Sequence, residues 1–378
     1  MALRIQIHHS IDDIPASQWN ALLASDYPFM QHQFLAAMEH HGCVGEAFGW
    51  LPRHVAIYED DALIAAMPLY EKHNSYGEFV FDHSWADAYR RAGHPYFPKL
   101  VCAVPYTPAT GPRLLVATGQ EEQLWPMLLE MAQQLADAIG ASGFHCLFQT
   151  PEEHAFTARS ALTRHDCQFH WENRNYRHFD DFLATLKSKK RKNIRQERRR
   201  IAAQGITFRV LDGHSATTTD WTHFSHFYQR TFDEKWGMAT FNQGFFEEVG
   251  RTMPESIVLV LADLDGDCIA GALMYRSSDV LYGRHWGCTL DIDLLHFETC
   301  YYQGIDYCIE HGLKHFEPGA QGEYKAARGF VPTLTRSSHY LFDRLFYDAI
   351  ERFCAQERDA VADYIDEMRR HLPYKESR

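Results

Sequence analysis

Two distant stretches of this chain repeat one pattern, and that repetition limits the folds open to it. "HVAIYEDDALIAAMPLY" at 54–70 and "VLVLADLDGDCIAGALMY" at 258–275 each run apolar strand, acidic turn and apolar strand with small residues, ending on Tyr70 and Tyr275. Each is followed by a strand-like segment that ends near tryptophan, "YGEFVFDHSW" at 76–85 and "VLYGRHWG" at 280–287. A helix-patterned stretch comes next in both, 128–143 and 298–312, and runs into a short strand, "FHCLF" or "LKHFE". Upstream, both halves open with helical sequence, "IPASQWNALLA" and "FMQHQFLAAMEHHG" in the first, "ATTTDWTHFSHFYQRTFDEKW" and "GFFEEVGRTM" in the second. Two helices, a meander of antiparallel strands, a helix and a strand make an α+β unit, and the chain holds two, over about 1–175 and 176–378. The first carries an insertion of about thirty residues after Trp85 that includes the loop-forming "VPYTPATGPR".

Composition supports two folded cores: 378 residues are 46% apolar, with 14% aromatic. The N-terminal "MALRIQIHHSIDDIP" has no signal-peptide core, and the apolar run "IVLVLA" at 257–262 is too short to span a bilayer, so a cytoplasmic protein without a membrane span is expected. Nine cysteines, an odd number without a CxxC pair, read as reduced thiols. The 23 histidines suggest no metal: adjacent ones such as His8 and His9 point to opposite sides of a strand, and Gly312 breaks the helix that would align His311 with His315.

One segment departs from the acidic body. "KSKKRKNIRQERRR", Lys187 to Arg200, sets nine basic side chains against one acid in a chain of net charge −13. A basic island of this kind suggests a specific anionic ligand or a small docking surface, whereas a nucleic-acid coat would be uniformly basic. Read as one helix from Asp180 to Gln204, stopped by Gly205, it puts Phe182, Leu183, Leu186, Ile194 and Ile201 on a buried face, with Lys190, Asn193 and Glu197 in the same arc. Lys187, Arg191, Lys192, Arg195, Arg198 and Arg199 then point elsewhere. Lys190 and Asn193 either reach inward to an anionic substrate group, or Lys190 and Glu197 pair with other side chains at a domain seam. A third use is RNA binding by residues 187–200, or an adaptor role, without catalysis.

The order of elements resembles the GNAT acyltransferase fold, and a tandem pair joined by a basic helix resembles the Fem-type aminoacyltransferases of peptidoglycan biosynthesis. "YGRHWGC", the basic run and "LHFETCYYQGIDYCIEHGLKHFEPGAQGEYKAARGFVPTLTRSSHY" are similar to a family of predicted N-acyltransferases related to the Fem proteins. The resemblance implies transfer of an acyl or aminoacyl group to an amine of an anionic acceptor, of the cell-wall-precursor kind, and lysines near the basic element that hold the acceptor's phosphate. Amide formation needs a neutral amine, donors for the carbonyl oxygen and a proton for the leaving group. In that layout the strand "LYGRHWGC" supplies the carbonyl site, Gly283 and Gly287 allow close backbone approach, and His285 is the candidate base. "GAQGEYKAARGF" crowds Gln321, Glu323, Tyr324, Lys325 and Arg328 among three glycines. Tyr324 sits where GNAT enzymes place a tyrosine acid, with Glu323 beside it in the catalytic set. Arg284, Gln321, Lys325 and Arg328 join Lys190 and Asn193 as substrate-binding candidates. The pyrophosphate loop of coenzyme A–binding domains is replaced by "TLDIDLLHFET", in which Asp291 and Asp293 repel phosphate. No permanently held cofactor is expected, and the donor stays open between aminoacyl-tRNA and an acyl-coenzyme A. The cleft should lie between "YGRHWGC" and "GAQGEYKAARGF", with Lys190 or Asn193 within roughly 15 Å of Tyr324 or Lys325.

Overall fold

A computed structural model of the chain describes residues 3–234, 237–320 and 322–375. They form two compact units, Met1–Cys167 with Leu334–Asp363, and Gln168–Thr333 with Tyr364–Arg378. The sequence places a single boundary near 175, whereas the first unit also takes Leu334–Asp363 from beyond that point. The reason is strand pairing: Ser337–Leu341 hydrogen-bond antiparallel to Gly143–Leu147 and so complete the first unit.

In the first unit the hairpin His54–Glu59 and Ala62–Met67 pairs antiparallel, flanked by Leu3–His8 and Leu115–Val116. A second group of strands, Trp50–Pro52, Tyr70–Lys72, Lys99–Cys102 and Gly143–Leu147, joins Ser337–Leu341. Helix Glu121–Ala138 lays Leu124, Leu128, Leu129, Ala132 and Ala136 over Val55, Ile57, Leu100 and Phe144, the i, i+4, i+8 spacing that buries one helical stripe. The strand expected over 76–85 does not form. Residues His83–Arg91 are helical instead, because Trp85 and Tyr89, four apart, both bury while Arg90 and Arg91 sit at the C-terminal end of the helix dipole.

In the second unit the order is Thr207–Leu211, Ile257–Leu264, Asp267–Arg276, Val280–Cys288, His315–Glu317 and then residues 171–172 of the strand Leu162–Glu172. All pairs are antiparallel except Val280–Cys288 with His315–Glu317. Helix Thr218–Glu234 lies very close to this sheet. A Cβ on Gly287 would stand 2.0 Å from the Phe227 carbonyl oxygen, and one on Gly271 would meet the Leu261 and Phe224 side chains at 2.9 and 3.1 Å. Gly287 therefore serves helix–strand packing, and its paired backbone does not open to the cleft as the sequence reading supposed.

The basic segment is two helices, Phe179–Thr185 and Ser188–Ala202, with Leu186 extended between them and bridged to Tyr374. That break resets the helical phase. Ile194 and Ile201 bury together with the half-buried Glu197 and Arg198, while Asn193 is exposed and Lys190 half-buried. Arg198 is thus inward and Asn193 outward, the reverse of the single-helix projection. Among the described residues no helix is long and apolar enough to cross a membrane.

Candidate active site

Strands Val280–Cys288 and His315–Glu317 pair only over Val280–Tyr282. Beyond Tyr282 the two chains part, and a cleft of about 320 Å³ opens between residues 283–286 and 318–320. The upper strand also carries a bulge. Leu273 stands opposite His285 and Met274 opposite Gly283, so Arg284 is the extra residue, and it lines the cleft. Gly283 keeps the mouth open, since a Cβ there would approach Pro318 Cα to 3.2 Å.

The opposite wall is a 3-10 turn, Glu323–Arg328, bracketed by Gly322 and Gly329 at φ of 110° and 93°. It buries Lys325, 2% exposed, whose Nζ donates to the Gly319 carbonyl at 2.6 Å. No aspartate or glutamate lines the cleft among the described residues. Burial and then the nearby Arg284 guanidinium lower the Lys325 pKa to about 7, which leaves an amine that changes charge at neutral pH. Tyr324 is 45% exposed and accepts a hydrogen bond from the Tyr301 hydroxyl at 3.2 Å, so its own proton is available to the cleft. Burial first, then Cys300, raises the Tyr301 pKa, which keeps that hydroxyl a donor. Tyr301 and Cys300 project from a π-helical turn, Glu298–Tyr302, a local widening that turns both toward the cleft.

His285 lines the cleft but is packed by Tyr228, Phe241 and Phe246 at ring-centroid distances of 5.2, 5.1 and 5.9 Å. Burial and then Arg284 push its pKa down to about 3, so the imidazole is neutral and a weak proton acceptor. Of the other candidates, Arg284, Tyr324 and Lys325 meet His285 around the cleft. Two do not. Glu323 turns outward to accept from the Tyr364 hydroxyl at 2.7 Å. Arg328 is buried, donates to Tyr302 at 3.0 Å, to Glu197 at 3.1 Å and to the Tyr324 carbonyl at 3.2 Å, and lies 3.5 Å over the Phe297 ring. A guanidinium so fully engaged is a tie between the turn and the basic helix, which reaches it through Glu197. Gln321 lies outside the described residues. Asn193 and Lys190 stay on the basic helix and do not line the cleft.

A profile of the FemAB-like family, described as peptidoglycan biosynthesis/recognition, matches residues 10–376. The chain belongs to the FemAB-like family. As a member it is an acyltransferase, with mixed, mostly antiparallel sheets flanked by helices. No curated protein matches the sequence. Its fold is that of FemX, to which it is 12% identical with a TM-score of 0.55, covering 93% of this chain and 100% of that one. It is similar as well to the C-terminal domain of a putative lysylphosphatidylglycerol synthetase from Agrobacterium fabrum, at 11% identity, TM-score 0.54 and coverage of 92% and 97%. A third solved structure, L-PGS from Bacillus licheniformis, is 12% identical with a TM-score of 0.51, covering 90% and 96%.

The first unit of this FemAB-like chain has the same parallel strand pair, Leu100–Cys102 with Phe144–Cys146, but the buried residues that follow Cys102 take up the space beyond it. The insertion fills the gap. Arg113, fully buried, donates from Nε to the Leu147 carbonyl at 2.8 Å and from Nη2 to the Ala109 carbonyl at 2.8 Å. Gly111 N–H bonds the Phe148 carbonyl at 3.1 Å, and the Glu153 carboxylate accepts from the backbone N–H groups of Arg113 and Leu114, both at 2.7 Å. The loop read from "VPYTPATGPR" is a loop, but a buried one.

Proposed function

We propose that the cleft of the second unit forms an amide bond, transferring an aminoacyl group from an activated ester to an amine of an anionic acceptor in cell-envelope biosynthesis. The buried Lys325, in an open cleft with no carboxylate among its described lining residues, carries this reading. At neutral pH a large fraction of Lys325 is uncharged, and that fraction can take the proton an attacking ammonium must lose. Arg284, and Lys325 once it has taken that proton, face the carbonyl oxygen as it gains charge. Tyr324 protonates the leaving oxygen, the hydrogen bond it receives from Tyr301 stabilises the phenolate that this creates, and the phenolate takes the second proton from the nitrogen as the amide forms. His285 orients the acyl group as a neutral ring and does not serve as the base.

The family description and the likeness to a lysylphosphatidylglycerol synthetase support the cell-envelope setting. Aminoacyl-tRNA is the favoured donor. Asp293 of "TLDIDLLHFET" pairs with Arg200 at 2.9 Å, so the segment that would cradle a coenzyme A pyrophosphate presents carboxylates instead. The same helix weakens the case for a purely RNA-binding role: Arg195 pairs with Asp180, Arg198 with Glu298 and Asp306, and Arg200 with Asp293, so three of the nine cations of the basic run are engaged with carboxylates within the protein. The test is to incubate the chain with aminoacyl-tRNAs or coenzyme A thioesters and UDP-muropeptides and to look for the amide by mass spectrometry. An amide from aminoacyl-tRNA is the expected product. Amide from the thioesters alone would overturn the donor, and tight RNA binding with no amide from any pairing would overturn the reaction.

A further inference from the structure

The first unit buries a row of hydrogen-bonding groups for which the chemistry of the second unit has no use. His339 stands directly across the strand pair from His145, and Ser337, two residues along, shares their face. The Ser337 hydroxyl and His339 Nε2 are 2.9 Å apart, and His339 Nδ1 and His145 Nδ1 are 2.7 Å apart. The three residues are 3%, 2% and 1% exposed. His145 Nε2 and Asp82 Oδ1, both buried, have no hydrogen-bond partner among the described residues. Filling these positions with apolar side chains would be less costly than burying three polar ones, so the row calls for an explanation beyond packing.

Burial, then the neighbouring cations Lys99 and Arg164, keeps His145 at a pKa of about 3, and burial with His145 beside it holds His339 well below the ordinary value. Both rings are therefore neutral. Of the two proton arrangements that satisfy both contacts, one leaves an N–H on His145 Nε2, the form that the Asp82 carboxylate, whose charge acts on this ring, stabilises. In that arrangement Ser337 donates to His339 Nε2, and His339 Nδ1–H donates to His145. The row is then a hydroxyl, a proton acceptor and an orienting group in series.

It also has access to space. A cavity of about 300 Å³ in this unit is lined by Ser337, Arg336, Arg164, Phe81, Phe148 and Phe353. Arg164 is fixed there by Glu357 at 2.7 and 2.5 Å and lies 4.9 Å over the Trp85 ring, which in turn packs edge-on against His339 at 5.1 Å.

We propose that Ser337 is a second nucleophile of the molecule, accepting an acyl group from an activated ester with an apolar acyl part, with the neutral His339 ring relaying its proton to the leaving oxygen within the same step, never standing as an imidazolium, and His145 holding that ring. The Ser337 oxygen bonds to the ester carbonyl carbon, the bond from that carbon to the leaving oxygen breaks with its electron pair, and the proton passes from Ser337 through His339 Nε2 to the leaving oxygen. An acyl-serine results, and water or an amine releases it.

The experiment is intact-mass and peptide mapping of the full chain after exposure to a p-nitrophenyl ester and, separately, to a fluorophosphonate. One adduct on Ser337 is expected, absent from Ser337→Ala and formed about 10²-fold more slowly in His339→Gln. A folded chain that leaves Ser337 unmodified by both probes, or a His339→Gln chain labelled at the native rate, overturns the proposal. Should His339→Gln fail to fold, Ser337→Cys decides: faster alkylation by iodoacetamide at position 337 than at Cys300 supports an activated position, and slower alkylation overturns it.

Discussion

The two units meet the same strand geometry with opposite outcomes. In the second, the parallel pair Val280–Tyr282 and His315–Glu317 separates and leaves a cleft that collects Arg284, His285, Tyr324 and Lys325. In the first, the corresponding gap is filled by residues 103–113 and sealed by Arg113 on the Leu147 carbonyl. The difference teaches that the fold supplies a splayed pair of strands wherever the unit occurs, and that the splay itself becomes a cleft only where the chain leaves it empty.

The largest effect expected from breaking this contrast is at Lys325. Lys325→Met should lower transfer by about 10²- to 10⁴-fold, the usual weight of a proton-transfer group, read as kcat/KM. The same change should raise the melting temperature at neutral pH. The folded-state pKa of about 7 lies below the unfolded value, so the folded chain binds fewer protons and the native lysine is fully penalised below pH 7. That penalty shrinks as pH rises above 7, and the advantage of the methionine should shrink with it. A methionine variant less stable than the parent at pH 6 would contradict the burial argument.

Arg113→Ala should reopen the first unit. Removing a buried guanidinium that satisfies several carbonyls is expected to destabilise by about 3 kcal/mol in urea unfolding, while transfer per folded molecule stays unchanged. An equal loss of transfer would show that the first unit takes part in the chemistry. The converse change, Gly283→Val, narrows the open splay against Pro318 and should raise the donor KM about tenfold, with kcat less affected. The smallest effect sits on the basic helix. Lys190→Ala should weaken acceptor binding about fivefold, against less than twofold for the exposed Arg199→Ala, in a direct titration. Equal losses would make the helix a solvated face.

The repeated hairpins, the α+β class and the position of the cleft were legible because periodicity, small residues and turn chemistry are local signals. The exchange of segments between units was not, since nothing local marks Ser337–Leu341 as the partner of Gly143–Leu147. The helix projection failed at one residue: Leu186 adopts an extended conformation, and a break there shifts every later side chain, which sent Asn193 outward and Arg198 inward. Within the candidate site, Lys325, Tyr324 and Arg284 stood out as polar residues among glycines. Arg328 looked the same in sequence, yet its charge is used up by Glu197 and Tyr302, partners more than twenty residues away. Tyr301 and Cys300 were missed because a π turn has no clear sequence mark, although "ETCYYQG" places three bulky or reactive side chains, Cys300, Tyr301 and Tyr302, in a row.

The pH dependence of transfer tests the central claim most directly. With an aminoacyl donor and an amine acceptor supplied, log kcat/KM measured from pH 5.5 to 9 should rise with unit slope and level off above about 7, the value at which Lys325 loses its proton. The limb should disappear in Lys325→Met, leaving a low and flat profile. A Lys325→Met chain that transfers at the native rate, with the same rising limb, would contradict the assignment of the cleft and of its base.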